Sequence, residues 1–135
     1  MKNDRLIEAA RAARGNAYAP YSGYMVGAAL LCADGSVYTG CNVENASYTP
    51  TCCAERVALF SAVCDGKREF VSMAVVGGRR DGNSGVCYPC GVCRQALSEF
   101  VQDDFTFLFA DGSEADFGSL LPCRFLLDKD TEGKQ

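Results

Sequence analysis

The chain has 135 residues, 48% of them apolar and 22% charged, with 13 basic against 17 acidic side chains and a net charge of −4. That balance belongs to one soluble globular domain rather than a disordered or membrane-spanning chain, and the negative charge opposes the phosphate neutralisation that polynucleotide binders depend on. Histidine is absent and cysteine occurs nine times, which excludes His-based zinc sites, imidazole bases and Ser-His or Cys-His nucleophiles, while the odd thiol count speaks against a disulfide framework.

Residues 4–16 place Leu6, Ile7, Ala10 and Ala13 at helical spacing, with Gly15 as a stop, and predict an amphipathic helix. The first fifteen residues interleave charges with Leu, Ile and Ala and offer no apolar run of the secretory kind, so a cytoplasmic setting is expected. Two apolar runs, at about 24–32 and 36–43, flank Ala33-Asp34-Gly35-Ser36 and predict a hairpin. From Cys53 to Asp65 a helical pattern that is apolar nearly all round reads as a buried helix ending at Gly66.

The run EFVSMAVVGG, residues 69–78, has the composition of a central strand covered on both faces. A polar, Gly-rich loop over 79–85 follows, then a helix opened by Pro89 and continuing to Val101. Residues 105–118 supply another strand, a second Asp-Gly turn and a short last strand, and the tail 128–135 reads as solvated. The order helix, hairpin, helix, strand, helix, strand predicts an α/β fold, a sheet with helices on both faces and a parallel crossover, in one domain spanning residues 1–127.

The chemistry concentrates in two cysteine clusters. In TCCAER, residues 51–56, the thiols of Cys52 and Cys53 precede Glu55 and Arg56; in VCYPCGVC, residues 86–93, Cys90 and Cys93 fall one helical turn apart and Cys87 precedes the turn. A C-x-x-C alone has several readings. If Cys53 joins Cys90 and Cys93 on a zinc ion, the fourth tetrahedral position is left for water, and Glu55 stands beside it as a general acid and base without being a ligand. Three thiolates outweigh the charge of Zn²⁺, and Arg56 is placed to hydrogen-bond them. The competing reading is a closed zinc or iron-sulfur module with Cys87, Cys90, Cys93 and one of Cys52 or Cys53, which leaves Glu55 idle.

Cys53-Ala54-Glu55 followed by Pro89-Cys90-x-x-Cys93 matches the signature of zinc nucleobase deaminases. With AYAPYSGYMVGAALL, GCNVENASY, CAERVALFSAV, PCGVCRQALSEF and SLLPCRF, the chain resembles the small, all-cysteine, homotetrameric cytidine deaminases from about Ala17 to Phe125. The resemblance implies a three-layer α/β/α sandwich around a mixed five-stranded sheet. It also implies one Zn²⁺ per subunit on Cys53, Cys90 and Cys93, with Glu55 as proton shuttle, and deamination of cytidine and deoxycytidine in pyrimidine salvage. Asn42 and Glu44 correspond to the residues that grip the ribose, Tyr24 to an aromatic beside the pyrimidine, and the backbone of Ala54 to a contact with the pyrimidine carbonyl. Ala46, Tyr48 and Phe125 correspond to residues that complete a neighbouring subunit's site in the tetramer. No nucleic acid or membrane partner is implied. Three features depart from the pattern: Tyr24 stands where phenylalanine is usual, the loop 79–88 is longer and carries Cys87, and Tyr88 replaces the serine that commonly precedes Pro89.

Overall fold

The computed structural model describes residues 2–82 and 85–127. The elements are α1 (Lys2–Arg14), β1 (Tyr24–Cys32), β2 (Val37–Cys41), α2 (Ala54–Cys64), β3 (Phe70–Arg79), α3 (Gly91–Ser98), β4 (Thr106–Phe109), β5 (Glu114–Asp116) and α4 (Phe117–Leu120). The strands form one sheet in the order β2-β1-β3-β4-β5, in which β3 and β4 are parallel and the other pairs antiparallel. It is the mixed five-stranded sheet of an α/β fold. The tail 128–135 lies outside the described residues.

Alternation along the two central strands builds both outer layers. Ala28 and Leu30 of β1 and Met73 and Val75 of β3 face Ala58, Leu59 and Ala62 of α2, with Leu97, Phe107 and Phe117 in the same cluster. The intervening Ala29, Ala74 and Val76 face Leu6, Ile7 and Ala10 of α1. Burying a side chain as large as Phe107 or Leu59 removes enough apolar surface from water to contribute about 1.5–3 kcal/mol. Close approach is set by two glycines. A Cβ on Gly27 would lie 2.0 Å from the Ala10 carbonyl oxygen, and one on Gly40 would lie 2.6 Å from both the Ala54 carbonyl oxygen and the Ala58 amide nitrogen. Gly27 therefore seats α1, and Gly40 seats the first turn of α2.

The hairpin turn and the β4–β5 turn repeat one design. In each, an aspartate oxygen (Asp34, Asp111) accepts hydrogen bonds from the backbone N–H and hydroxyl of the serine two residues on, and the glycine between them adopts positive φ. Arg14, at the end of α1, donates to the Met25 and Gly78 carbonyls at 2.9 and 2.8 Å, tying that helix to β1 and β3.

Several boundaries differ from the sequence-based expectation. Helix α2 is buried on one side only: Ala54, Glu55, Ala58, Leu59 and Ala62 are covered, whereas Phe60, Ser61 and Cys64 are exposed, because the sheet shields just one face of it. Helix α3 opens at Gly91 rather than Pro89 and ends at Ser98, after which the chain turns to bury Val101 and Phe105. The second strand stops at Cys41, and Val43 instead bridges Tyr18 on one side and Cys52 on the other. Within the stretch expected to be a loop, Gly85 folds back and pairs with Gly77. Helix α4, a single turn after β5, was not expected; Asp116 caps it by accepting from the Ser119 amide.

Candidate active site

Two helix starts meet at one place. Cys53 is the N-cap of α2 and Cys90 the N-cap of α3, both with extended backbone and neither with a side-chain cap hydrogen bond. Cys93 follows in the first turn of α3 and is fully buried. The Cys90 sulfur lies 3.6 Å from that of Cys53 and 3.6 Å from that of Cys93, and the three sulfurs fall within 4.8 Å of one another. Four ligands arranged tetrahedrally about zinc at a Zn–S length of ~2.3 Å have sulfurs about 3.8 Å apart. The observed spacing fits that ion, and three sulfur donors suit zinc chemically. No other group of this kind occurs among the described residues.

The Cys53 and Cys93 thiols sit in unequal electrostatic surroundings. Hydrogen bonding with Cys93, reinforced by Arg56 and Cys90, draws the Cys53 thiol down to about 5, whereas Cys93 is raised by the same bond with Cys53 and by burial. Both caps also sit at the positive ends of helix dipoles, which favour negative charge. The Arg56 guanidinium donates to the Cys53 sulfur at 3.5 Å, and its Nε is buried without a protein partner. Cys52, one residue earlier, is displaced from this group: its amide and carbonyl bond Val43, and burial raises its thiol.

Glu55 occupies the first turn of α2 and is only 4% exposed, and burial pushes its carboxyl up to about 7. It lines a cavity of about 240 Å³ with Cys53, Cys90 and the fully buried Ala54. The far side is formed by Tyr24, Asn42 and Glu44, with Ser22, Thr51 and Cys87. Asn42 and Glu44 are fixed from behind. Asn42 accepts from the Val26 amide and donates to the Tyr24 carbonyl, both at 2.8 Å, leaving one N–H and one lone pair of its carboxamide unused. Glu44 accepts from the Tyr21 and Ser22 amides and from the Ser22 hydroxyl, and the last of these foremost holds its carboxyl below the usual range.

The structure thus brings Cys53, Ala54, Glu55, Cys90, Tyr24, Asn42 and Glu44 to one cavity, with Cys93 and Arg56 behind it. Tyr48 lies apart, on an adjoining hollow that shares Ser22, Glu44 and Thr51 with the cavity. Ala46 is exposed, and Phe125, also exposed, borders a different depression with Leu121 and Arg124. Ser22, Val26 and Thr51 also line the cavity and have no role in the sequence reading. Ser22 lies inside the quoted motif AYAPYSGY, but its bond to Glu44 spans 22 positions and leaves no local signal. Cys87 enters the sequence reading only as a ligand of the competing closed site and as a departure from the family pattern.

Comparison with known proteins agrees with this geometry. Residues 1–109 match the family described as the cytidine and deoxycytidylate deaminase zinc-binding region. The chain is 45% identical over 129 residues to a cytidine deaminase of Sporosarcina psychrophila, covering 93% of this chain and 92% of that one. Among solved structures, cytidine deaminase from Burkholderia pseudomallei superimposes with a TM-score of 0.83 at 48% identity, over 93% of this chain and all (100%) of the other. That from Mycobacterium tuberculosis gives 0.83 at 38% identity, over 94% and 99%.

Proposed function

The chain belongs to the cytidine and deoxycytidylate deaminase family, and from that premise we propose that the cavity beside Glu55 is where it hydrolyses cytidine to uridine and ammonia. The observation that carries the reading is the placement of one buried carboxylate next to three converging thiols in a cavity the size of a small molecule. Cys53, Cys90 and Cys93 hold one zinc ion per subunit. Bound there, zinc supplies Lewis acidity, the means by which a water becomes a nucleophile near neutral pH.

The remaining chemistry is the chain's own. Glu55 takes a proton from the attacking water and delivers it to N3 of the pyrimidine as the oxygen bonds C4, then carries the second proton from the new C4 hydroxyl to the amine as the C4–N bond breaks, so that water and cytidine become uridine and ammonia. A carboxyl whose proton affinity lies near 7 both accepts and gives at neutral pH. Arg56 draws charge from the Cys53 sulfur. The unused N–H and lone pair of Asn42 and the remaining lone pairs of Glu44 take the ribose hydroxyls, Tyr24 flanks the base, and the backbone of Ala54 meets the pyrimidine carbonyl. Two held acceptors for a sugar support a nucleoside rather than a free base, and deoxycytidine is accepted with cytidine.

The finer reading extends to assembly and setting. Residues 1–127 form one catalytic domain that self-associates as a homotetramer, in which Ala46, Tyr48 and Phe125 reach a neighbour's cavity. Tyr48, Phe125 and Phe60 are exposed in the single chain and so available to such contacts. The protein then works in the cytoplasm in pyrimidine salvage, on nucleosides and not on nucleic acids; none of its described helices is long and apolar enough to cross a membrane.

Ultraviolet absorbance with parallel ammonia measurement on cytidine, deoxycytidine and cytosine tests the reading. Turnover of both nucleosides but not cytosine is expected, with Glu55→Gln retaining zinc and losing roughly a thousand-fold in kcat. Turnover of free cytosine alone, or an active Glu55→Gln protein, would overturn it.

A further inference from the structure

Cys87 borders the cavity but stands outside the three-sulfur group. Its seat depends on β3. The bridge between Gly85 and Gly77 lays the chain back along the end of that strand. A Cβ at Gly77 would come within 2.7 Å of the Cys87 sulfur, 2.9 Å of the Cys87 Cβ and 3.0 Å of the Tyr24 ring carbon Cε1. The absent side chain of Gly77 is therefore the niche in which the thiol and the phenol ring meet. Burial first, and the neighbouring Cys87 thiol next, raise the Tyr24 hydroxyl above its ordinary value.

The Tyr24 backbone is already held on both sides: its N–H donates to the Ser22 hydroxyl at 3.0 Å and its carbonyl accepts from Asn42 at 2.8 Å. What those bonds leave unheld is the side chain, in a residue that is 38% exposed. A side chain that must be immobilised when ligand binds costs affinity, and one immobilised beforehand does not. Resting on the assignment of this cavity to the nucleoside, we propose that Cys87 is a positioning residue for the reaction: lodged over Gly77, it fixes the Tyr24 ring as a preformed wall of the base pocket. Tyr24 and Cys87, both departures from the family pattern, form one structural unit.

The test compares the wild-type protein with Cys87→Ala, Cys87→Ser, Tyr24→Phe and the double variant Cys87→Ala/Tyr24→Phe. The readouts are zinc content, KM and kcat for cytidine, and the calorimetric Kd for uridine. The Tyr24 hydroxyl and the Cys87 thiol interact, and an interaction worth one uncharged hydrogen bond predicts that Cys87→Ala raises KM and the uridine Kd about five-fold. Meanwhile kcat changes far less and zinc stays at one per chain. Cys87→Ser, which keeps a polar hydrogen, restores most of the loss, and in the Tyr24→Phe background the Cys87→Ala effect shrinks to less than half. Three results overturn the proposal: an unchanged KM, an equal increase in both backgrounds, or zinc lost from Cys87→Ala, which would make Cys87 a ligand. A wild-type protein active on cytidine with any of these results sinks the positioning role alone. A wild-type protein that neither turns over cytidine nor binds uridine sinks the underlying assignment as well.

Discussion

Cys52 and Cys53 are neighbours in the chain with opposite surroundings. Cys53 is drawn down to about 5, foremost by hydrogen bonding with Cys93, while burial alone dominates at Cys52 and raises it. Position separates them as well: the Cys53 sulfur stands 3.6 Å from that of Cys90, whereas Cys52 lies outside the three-sulfur group. Metal analysis of purified variants should accordingly find about one zinc per chain in Cys52→Ser and only a small fraction of that in Cys53→Ser. An equal loss in both would mean that the helix cap is not what selects the ligand. At this scale the sequence was informative where residues act in series: the Cys53-Ala54-Glu55 spacing already set an acid beside a metal ligand. It was silent where partners are distant, as with Ser22 and Glu44 or Cys87 and Gly77, because a hydrogen bond or a steric niche closed by the fold leaves no periodicity to read.

The elements carry these residues to their places through contacts that glycines permit. Gly40 of β2 lets the strand lie against the start of α2, where a Cβ would meet Ala54 and Ala58 backbone at 2.6 Å. Backbone cannot rotate away as a side chain can, so Gly40→Ala forces the helix start outward. It should cost about 1–3 kcal/mol in denaturant unfolding, the range for overpacking a close contact, and lower zinc retention in a chelator competition. A variant with wild-type stability would show that α2 has slack there. The long, strongly patterned elements α1, β1, α2 and β3 were legible from apolar spacing, and the hairpin from its Asp-Gly turn. Element ends were less so. The start of α3 lies at Gly91 rather than Pro89 because Cys90 keeps an extended backbone as cap, so that the first helical residue is the one that follows it. The one-turn α4 is too short for any period to register.

In the whole molecule, the parallel pairing of β3 with β4 requires a crossover, and α3 provides it, so the topology that closes the sheet also delivers Cys90 and Cys93. The same topology leaves Phe125 and Tyr48 outside the chain's own cavity. If they serve a neighbour, subunits lacking different parts should rescue one another. Co-expressed Glu55→Gln and Phe125→Ala chains should form hybrids more active than either parent, measured as ammonia release per total subunit after size separation. Activity no greater than the sum of the parents would refute shared sites.

Cysteines at both N-caps leave α2 and α3 without the oxygen acceptor that usually ties down the first backbone N–H groups, a loss of typically ~1 kcal/mol per helix. An ion bound to these sulfurs would double as a rivet for two helix starts that lack a side-chain cap. Stripping it should loosen the protein locally before it unfolds globally: amide hydrogen exchange should quicken first at residues 54–57 and 91–94, while Leu30, Val75 and Phe107 in the central strands keep their protection. Uniform acceleration across the sheet would show that the metal instead holds the whole fold together.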